Sequence, residues 1–323
     1  MNMRAVIVGE HGGPEVLALS EVDRPAPGPG QVLVEVRVAG INYMDVYQRT
    51  GAVPRQTPFT LGVEGVGVVA EAGAGVTEFA AGDRIGWFSG GSGSHAEFAT
   101  VDAGRAVAIP DGVSDEQATA ALMQGITAQY LATDTYPIGE GDPVLVHAAA
   151  GGVGQLLVQI ARLRGGRVVG TTSSAEKAQA VRDAGADEVL GYDDFAARVR
   201  ELTDGAGVAA VYDGVGAATF EGSLASLRPR GVLVIYGTAS GPTPALEIPR
   251  LNSGGSLYVT RPSIAHYTAE TAQLRARASQ VLGWVADGEL TVRIGGDYPL
   301  DEVATAYREL EARHTTGKLL LHP

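Results

Sequence analysis

The chain has 323 residues, 45% of them hydrophobic and 19% charged, with a formal net charge of −13 and no cysteine. That length gives room for about two domains with a sizeable core. The acid excess disfavours the phosphate backbone of nucleic acids as a main partner, and the missing thiols exclude disulfides, thiolate zinc ligands and cysteine nucleophiles.

The N-terminus, Met1 to Val8, lacks a long apolar stretch, and no run is apolar enough to span a bilayer. This predicts a cytoplasmic protein with no membrane partner. The first 120 or so residues read as β-rich. Short apolar or alternating runs fall at Ala5–Val8, Val16–Leu19, Gln31–Val38, Val66–Ala70 and Arg84–Trp87. Gly12-Gly13-Pro14, Pro25 to Gly30, Gly73 to Gly75 and Ala81-Gly82-Asp83 separate them as turns. Many short strands with dense Gly and Pro predict a barrel or sandwich. Asn42 to Arg49 reads as a short helix, and Ser89 to Ser94, rich in Gly and Ser, as a flexible loop.

At Ser114 the texture changes. Gln117, three residues on, completes a capping box, and an Ala-rich helix follows. Strands are then predicted at 144–147, 167–171, 187–190, 208–212 and 231–236, with a sixth, edge strand over 256–260. Helices are predicted at 153–164, 175–184, 194–202 and 217–227. This alternation argues for an α/β fold, a doubly wound parallel sheet of Rossmann type. The tail predicts a helix from Ala269 to Asp287, a strand at Thr291–Ile294, a helix at 301–312 and a final strand at Lys318–Leu321.

Within that alternation, Val144 to Lys177 reads as strand, glycine turn, helix, strand. The turn is Ala149-Ala150-Gly151-Gly152-Val153-Gly154. A dinucleotide pyrophosphate needs a sharp turn off the strand, backbone N–H groups at a helix start, and a small residue for close helix packing. Ala150, Gly151, Gly152, Val153 and Gly154 are therefore candidate cofactor contacts. The second strand ends Gly170-Thr171-Thr172-Ser173-Ser174, where an NAD enzyme would carry an acid for the ribose 2′-hydroxyl. Hydroxyls there, with Lys177 just beyond, predict NADPH over NADH; Ser173, Ser174 and Lys177 would read the 2′-phosphate.

Four stretches carry a family resemblance: Gly40 to Arg49, Gly62 to Gly67, His147 to Gly154, and Gly255 to Pro262. Through them the chain resembles the quinone oxidoreductases of the zeta-crystallin-like branch of the medium-chain dehydrogenase/reductase superfamily. The resemblance implies a GroES-like β-barrel catalytic domain over residues 1–123, an NADPH-binding Rossmann domain over 124–262, and a segment over 263–323 returning to the catalytic domain. It also implies a homodimer, which an apolar edge strand at 256–260 would form by pairing with its symmetry mate.

Zinc alcohol dehydrogenases share this fold, with a cysteine in the segment matching Gly40–Asp45 and a His-Glu pair in the one matching Gly62–Gly65. Here Asn42 and Val63 stand there, so no metal is expected. The acceptor must already be electrophilic. A quinone is the leading reading. An α,β-unsaturated carbonyl is the alternative, and a non-catalytic crystallin-like or RNA-binding role is the remaining one.

The resemblance adds Asn42, Thr127, Tyr192, Val215, Tyr236, Gly237, Thr238 and Lys318 as cofactor contacts. Tyr43, Tyr47 and Arg261 are candidate hydrogen-bond donors to the acceptor oxygen, with Asp45 orienting them. His95, His147 and Asp213 read as structural.

Overall fold

The computed structural model describes residues 1–313 and 315–323. The chain opens with β1 (Asn2–Val8), β2 (Leu17–Asp23), β3 (Gln31–Gly40) and the helix α1 (Tyr43–Arg49). Then come β4 (Phe59–Thr60), β5 (Glu64–Ala72), β6 (Arg84–Phe88), β7 (Phe98–Asp102), β8 (Ala106–Ala108) and α2 (Asp115–Tyr130). The alternating part follows: β9 (Pro143–Val146), α3 (Gly152–Leu163), β10 (Arg167–Thr171), α4 (Ala175–Asp183), β11 (Glu188–Leu190), α5 (Phe195–Leu202) and β12 (Val208–Asp213). It continues with α6 (Phe220–Ser226), β13 (Leu227–Ile235), α7 (Pro249–Ser253), β14 (Tyr258–Thr260) and α8 (Ile264–Tyr267). The last elements are α9 (Thr271–Ala286), β15 (Ile294–Pro299), α10 (Val303–Glu311) and β16 (Lys318–His322).

Two compact units result: residues 1–123 with 270–323, and residues 124–269. The first is discontinuous because β16 returns to pair antiparallel with β3, Leu320 opposite Gly40 and Leu321 opposite Ala39. Its larger sheet has the order β15-β16-β3-β5-β6-β8, with β7 also on β3; a smaller sheet has the order β2-β1-β4. One core unites them. Val6, Val8 and Phe59 of the small sheet pack with Val32, Val34 and Val36 of β3, and with Leu319 and Leu321 of β16. The alternating valines of β3 explain the strand, because every second side chain goes to that core.

The second unit is a six-stranded parallel sheet in the order β11-β10-β9-β12-β13-β14. The order reverses between β9 and β12, which places a ligand crevice at their carboxyl ends.

The structure departs from four expectations. The Ser89–Ser94 run is not a free loop: Ser92 N–H donates to the Thr100 carbonyl at 3.0 Å and Ser94 N–H to the Gly62 carbonyl at 3.0 Å. The edge strand begins at Tyr258, not at 256. Ser256 sits at φ 58°, and the Leu257 N–H turns back to the Leu251 carbonyl. The strand read at 291–294 starts at Ile294 and runs to Pro299. The second unit extends past residue 262 to Ala269, because Tyr267 of α8 stacks on Tyr130 of α2 at 4.1 Å between ring centroids.

Candidate active site

The glycine turn is built as the chemistry requires. The first internal bond of α3 runs from Gln155 N–H to the Gly151 carbonyl, so the N–H groups of Gly152, Val153 and Gly154 lie ahead of the helix. Together with the helix dipole they favour an anion there. Gly154 has no room for a side chain: a Cβ would meet the Ala148 carbonyl oxygen at 2.4 Å and the Ala149 Cα at 2.7 Å. Ala148 itself adopts φ 49°, and its N–H donates to the Tyr192 hydroxyl at 3.1 Å. Tyr192 is thus held against the turn. Ser174 caps α4, its hydroxyl accepting from the Lys177 N–H at 3.3 Å; Ser173 is exposed and Lys177 half-buried. Burial lowers the Lys177 ammonium from its ordinary value, with Glu176 opposing.

Asp213 organises the far side of the crevice. Its Oδ1 accepts from the N–H groups of Val215 and Gly216 at 2.8 and 2.9 Å. Its Oδ2 accepts from the hydroxyls of Thr219 and Ser223 at 2.7 and 2.9 Å. Ser223 Oγ lies 3.0 Å from His147 Nε2, and Thr171 Oγ1 lies 2.8 Å from His147 Nδ1. Since Ser223 donates to the carboxylate, the network assigns the His147 proton to Nε2 and leaves Nδ1 as acceptor. Burial pushes this imidazole down to about 4, opposed by Asp213. Serine, histidine and aspartate meet here, but all three are fully buried and the serine donates to the acid, so the chain is a strut between β9, β10, β12 and α6 and not a nucleophile. Sequence reasoning missed the Ser223 contact, since no local spacing ties a serine of α6 to a histidine after β9.

Val215, Tyr236, Gly237 and Thr238 lie on the loops after β12 and β13. The Tyr236 and Gly237 N–H groups return to the Asp213 carbonyl, and Ser240 Oγ donates to the Val215 carbonyl at 2.7 Å. Burial pushes the Tyr236 phenol well above its ordinary value. Thr127 is half-buried on α2.

In the first unit the most constrained group is one the sequence reading passed over, Glu64. Its Oε2 receives Lys318 Nζ at 2.5 Å and Asn42 Nδ2 at 3.2 Å, and its Oε1 receives the Met123 N–H at 2.8 Å. Lys318 Nζ also donates to Asn42 Oδ1 at 2.9 Å. All three side chains are almost fully buried. A neighbouring knot involves Asp45, whose carboxylate accepts from the N–H groups of Asn42 at 2.8 Å and Val63 at 3.1 Å. Burial pushes Asp45 up to about 7 against those hydrogen bonds. Asp45 therefore fixes the start of α1 and the Gly62–Val63 loop. The role expected for it, orienting Tyr43 and Tyr47, is not what its bonded partners show.

Tyr43 and Tyr47 share a face of α1, with ring centroids 6.3 Å apart, and the Tyr43 hydroxyl donates to the Leu310 carbonyl at 3.2 Å. Arg261 is exposed and belongs to the second unit, whereas both tyrosines belong to the first. His95 is fully buried, and burial pushes it down to about 3. A cavity of about 230 Å³ opens in the first unit, walled by Gln48, Arg55, Val63, Trp87 and the Ser89–Gly91 backbone among others.

Residues 28–111 match the family described as "Alcohol dehydrogenase GroES-like domain", and residues 152–286 the one described as "Zinc-binding dehydrogenase". The zinc in that description does not fit this chain. Among the described residues no three His, Asp or Glu gather to hold a metal ion, and the Lys318 ammonium already sits as the cation between Glu64 and Asn42. The chain is 42% identical to a quinone oxidoreductase of Pseudomonas aeruginosa, covering 97% of both. It is 36% identical to a 2-haloacrylate reductase of a Burkholderia species, covering 99% of this chain and 98% of that one. Among solved structures, the Escherichia coli quinone oxidoreductase complexed with NADPH superposes with a TM-score of 0.97 at 37% identity, covering 99% and 100% of the two chains.

Proposed function

Since the chain belongs to the quinone oxidoreductases of the medium-chain dehydrogenase/reductase superfamily, we propose that it reduces a quinone with NADPH. The observation that carries this reading is the glycine turn. Its free N–H groups at Gly152–Gly154 and the excluded Cβ at Gly154 fit a pyrophosphate lying on the start of α3. Ala150 and Gly151 shape the approach.

The 2′-phosphate falls to Ser173, Ser174, Lys177 and Tyr192, at the exit of β10 and β11, where no carboxylate competes on the end of β10. Val215, Tyr236, Gly237 and Thr238 line the adjoining loops, and Thr127 stands on α2 of the same unit. When bound, the reduced nicotinamide supplies a hydride, two electrons and one proton together. The residues around it bind, orient and keep water out. A quinone that accepts the hydride gains one further proton from solvent to become the hydroquinone, so no buried acid is required. Within the first unit Tyr47, on the same face of α1 as Tyr43, is the hydroxyl offered to an acceptor oxygen; Tyr43 would have to release the Leu310 carbonyl to serve as a second.

A reaction drawing on NADPH needs a compartment that keeps that coenzyme reduced, and this is compatible with a cytoplasmic enzyme. β14, paired on one side only among the described residues, supports a homodimer.

The test is a titration of wild type and Lys177→Ala with NADPH and NADH, followed by turnover of a neutral quinone beside an alkenal. Losing the Lys177 charge removes one charge-assisted hydrogen bond, about 1.5–3 kcal/mol, so NADPH binding should weaken about tenfold or more while NADH binding changes little. Equal losses for both coenzymes would remove the phosphate reading. Faster turnover of the alkenal than of the quinone would move the assignment to C=C bonds.

A further inference from the structure

The first unit holds a cation that no acid neutralises by direct contact. Arg55 faces the cavity of about 230 Å³, half-buried on its wall. One guanidinium nitrogen donates to Gln48 Oε1 at 2.7 Å, and the group lies over the Phe59 ring, 4.4 Å from its centroid. Gln48 and Phe59 thus fix the fork in place, yet both are neutral. Among the described residues no carboxylate comes within ion-pair distance of Arg55. Burial lowers this guanidinium from its ordinary value, with Asp45 opposing through space. Arg49, at the end of α1, is different: it is fully buried and paired with Glu311 at 2.8 Å.

A fixed, partly desolvated guanidinium favours a pair of anionic oxygens, which it can meet with two parallel N–H donors. The rest of the wall is mixed: Trp87, Val63 and Pro54 suit a flat apolar body, and Gln48 with Ser89–Gly91 offers polar groups. The volume is below the roughly 300–1,000 Å³ of drug-sized ligand sites, which leaves room for one small ring system or a short unsaturated acid. We propose that this cavity is an acceptor subsite for electrophiles that carry a carboxylate or sulfonate, and that Arg55 is its specificity-determining residue. The proposal deepens the quinone reductase reading and rests on it for turnover, though not for binding.

The experiment compares a naphthoquinone sulfonate with the parent naphthoquinone, in wild type, Arg55→Gln and Arg55→Lys. The readout is the ratio of kcat/KM for the sulfonate over that for the parent. Arg55→Gln should lower this ratio about tenfold or more, mainly through KM, and Arg55→Lys should restore part of it. A ratio that stays constant across the three proteins overturns the proposal. Calorimetric titration of the protein with naphthalene sulfonate gives a second readout that needs no turnover. Binding that weakens with added salt and is lost in Arg55→Gln supports the subsite; equal binding to wild type and Arg55→Gln overturns it. Arg55-dependent sulfonate binding without any quinone-dependent NADPH oxidation would support the subsite and remove the reductase reading instead.

Discussion

Three buried titratable groups pull the acid stability of this protein in opposite directions. Burial holds His95 near 3 and His147 near 4, both as neutral imidazoles, and pushes Asp45 up to about 7. Unfolding returns them to ordinary values, about 6.5 for histidine and about 3.9 for aspartate. Between about pH 5 and 5.5 the unfolded chain therefore binds close to two protons that the folded chain lacks and releases one that it holds. The net uptake of one proton makes stability fall on acidification by about 1.4 kcal/mol per pH unit. Asp45→Asn removes the opposing release, so the slope should roughly double. The variant also starts less stable, because its amide sets an N–H donor against a backbone N–H of Asn42 or Val63. Urea unfolding at several pH values measures the slope directly, and a slope unchanged by Asp45→Asn would refute this balance. None of it was legible in the sequence. Asp45 and Tyr307 are far apart in the chain, as are Glu64 and Lys318, and only the return of β16 and α10 to the first unit brings them together.

Local elements were far more legible than such long-range pairs. The β9–α3–β10 unit announces itself because strand, turn and helix are contiguous and each glycine has a local reason. The boundaries failed where backbone geometry overrode composition. Gly295 lies so near the Thr316 carbonyl that a Cβ would come within 2.2 Å of its oxygen, so β15 passes through a glycine pair that reads as a strand end. Residues 90–94 look flexible by composition, but β7 supplies hydrogen-bond partners that composition cannot reveal. The element that can be tested most sharply is the turn before α3. Gly154→Ala must push backbone against backbone at the Ala148 carbonyl, a strain of about 1–3 kcal/mol. Thermal stability should fall and NADPH binding should weaken about tenfold. Gly283→Ala, in α9 where a Cβ meets nothing within 4 Å, is the control and should stabilise by about 0.5–1 kcal/mol. A Gly154→Ala protein that keeps full NADPH affinity would show that α3 does not carry the pyrophosphate.

At the scale of the whole molecule, the edge of the parallel sheet is where the proposed homodimer would form. β11 closes one side of that sheet and β14 the other, and among the described residues β14 pairs only with β13. An unpaired edge invites a further strand, and natural proteins block it with charge, proline or a covering segment. β14 carries neither charge nor proline: it consists of Tyr258, Val259 and Thr260, and Tyr258 is 61% exposed. A two-fold axis beside β14 would set it antiparallel to its own copy and join two six-stranded sheets into one. Light scattering at micromolar concentration should then return twice the mass of the chain. Tyr258→Lys places a positive charge on each copy of the same edge, where the two repel across the axis, and should shift the equilibrium towards monomer without unfolding either unit. Slow amide exchange at β14 in wild type, faster in Tyr258→Lys, would locate the contact. A wild-type protein that is monomeric at that concentration, or a Tyr258→Lys dimer as tight as wild type, would move the interface away from this edge.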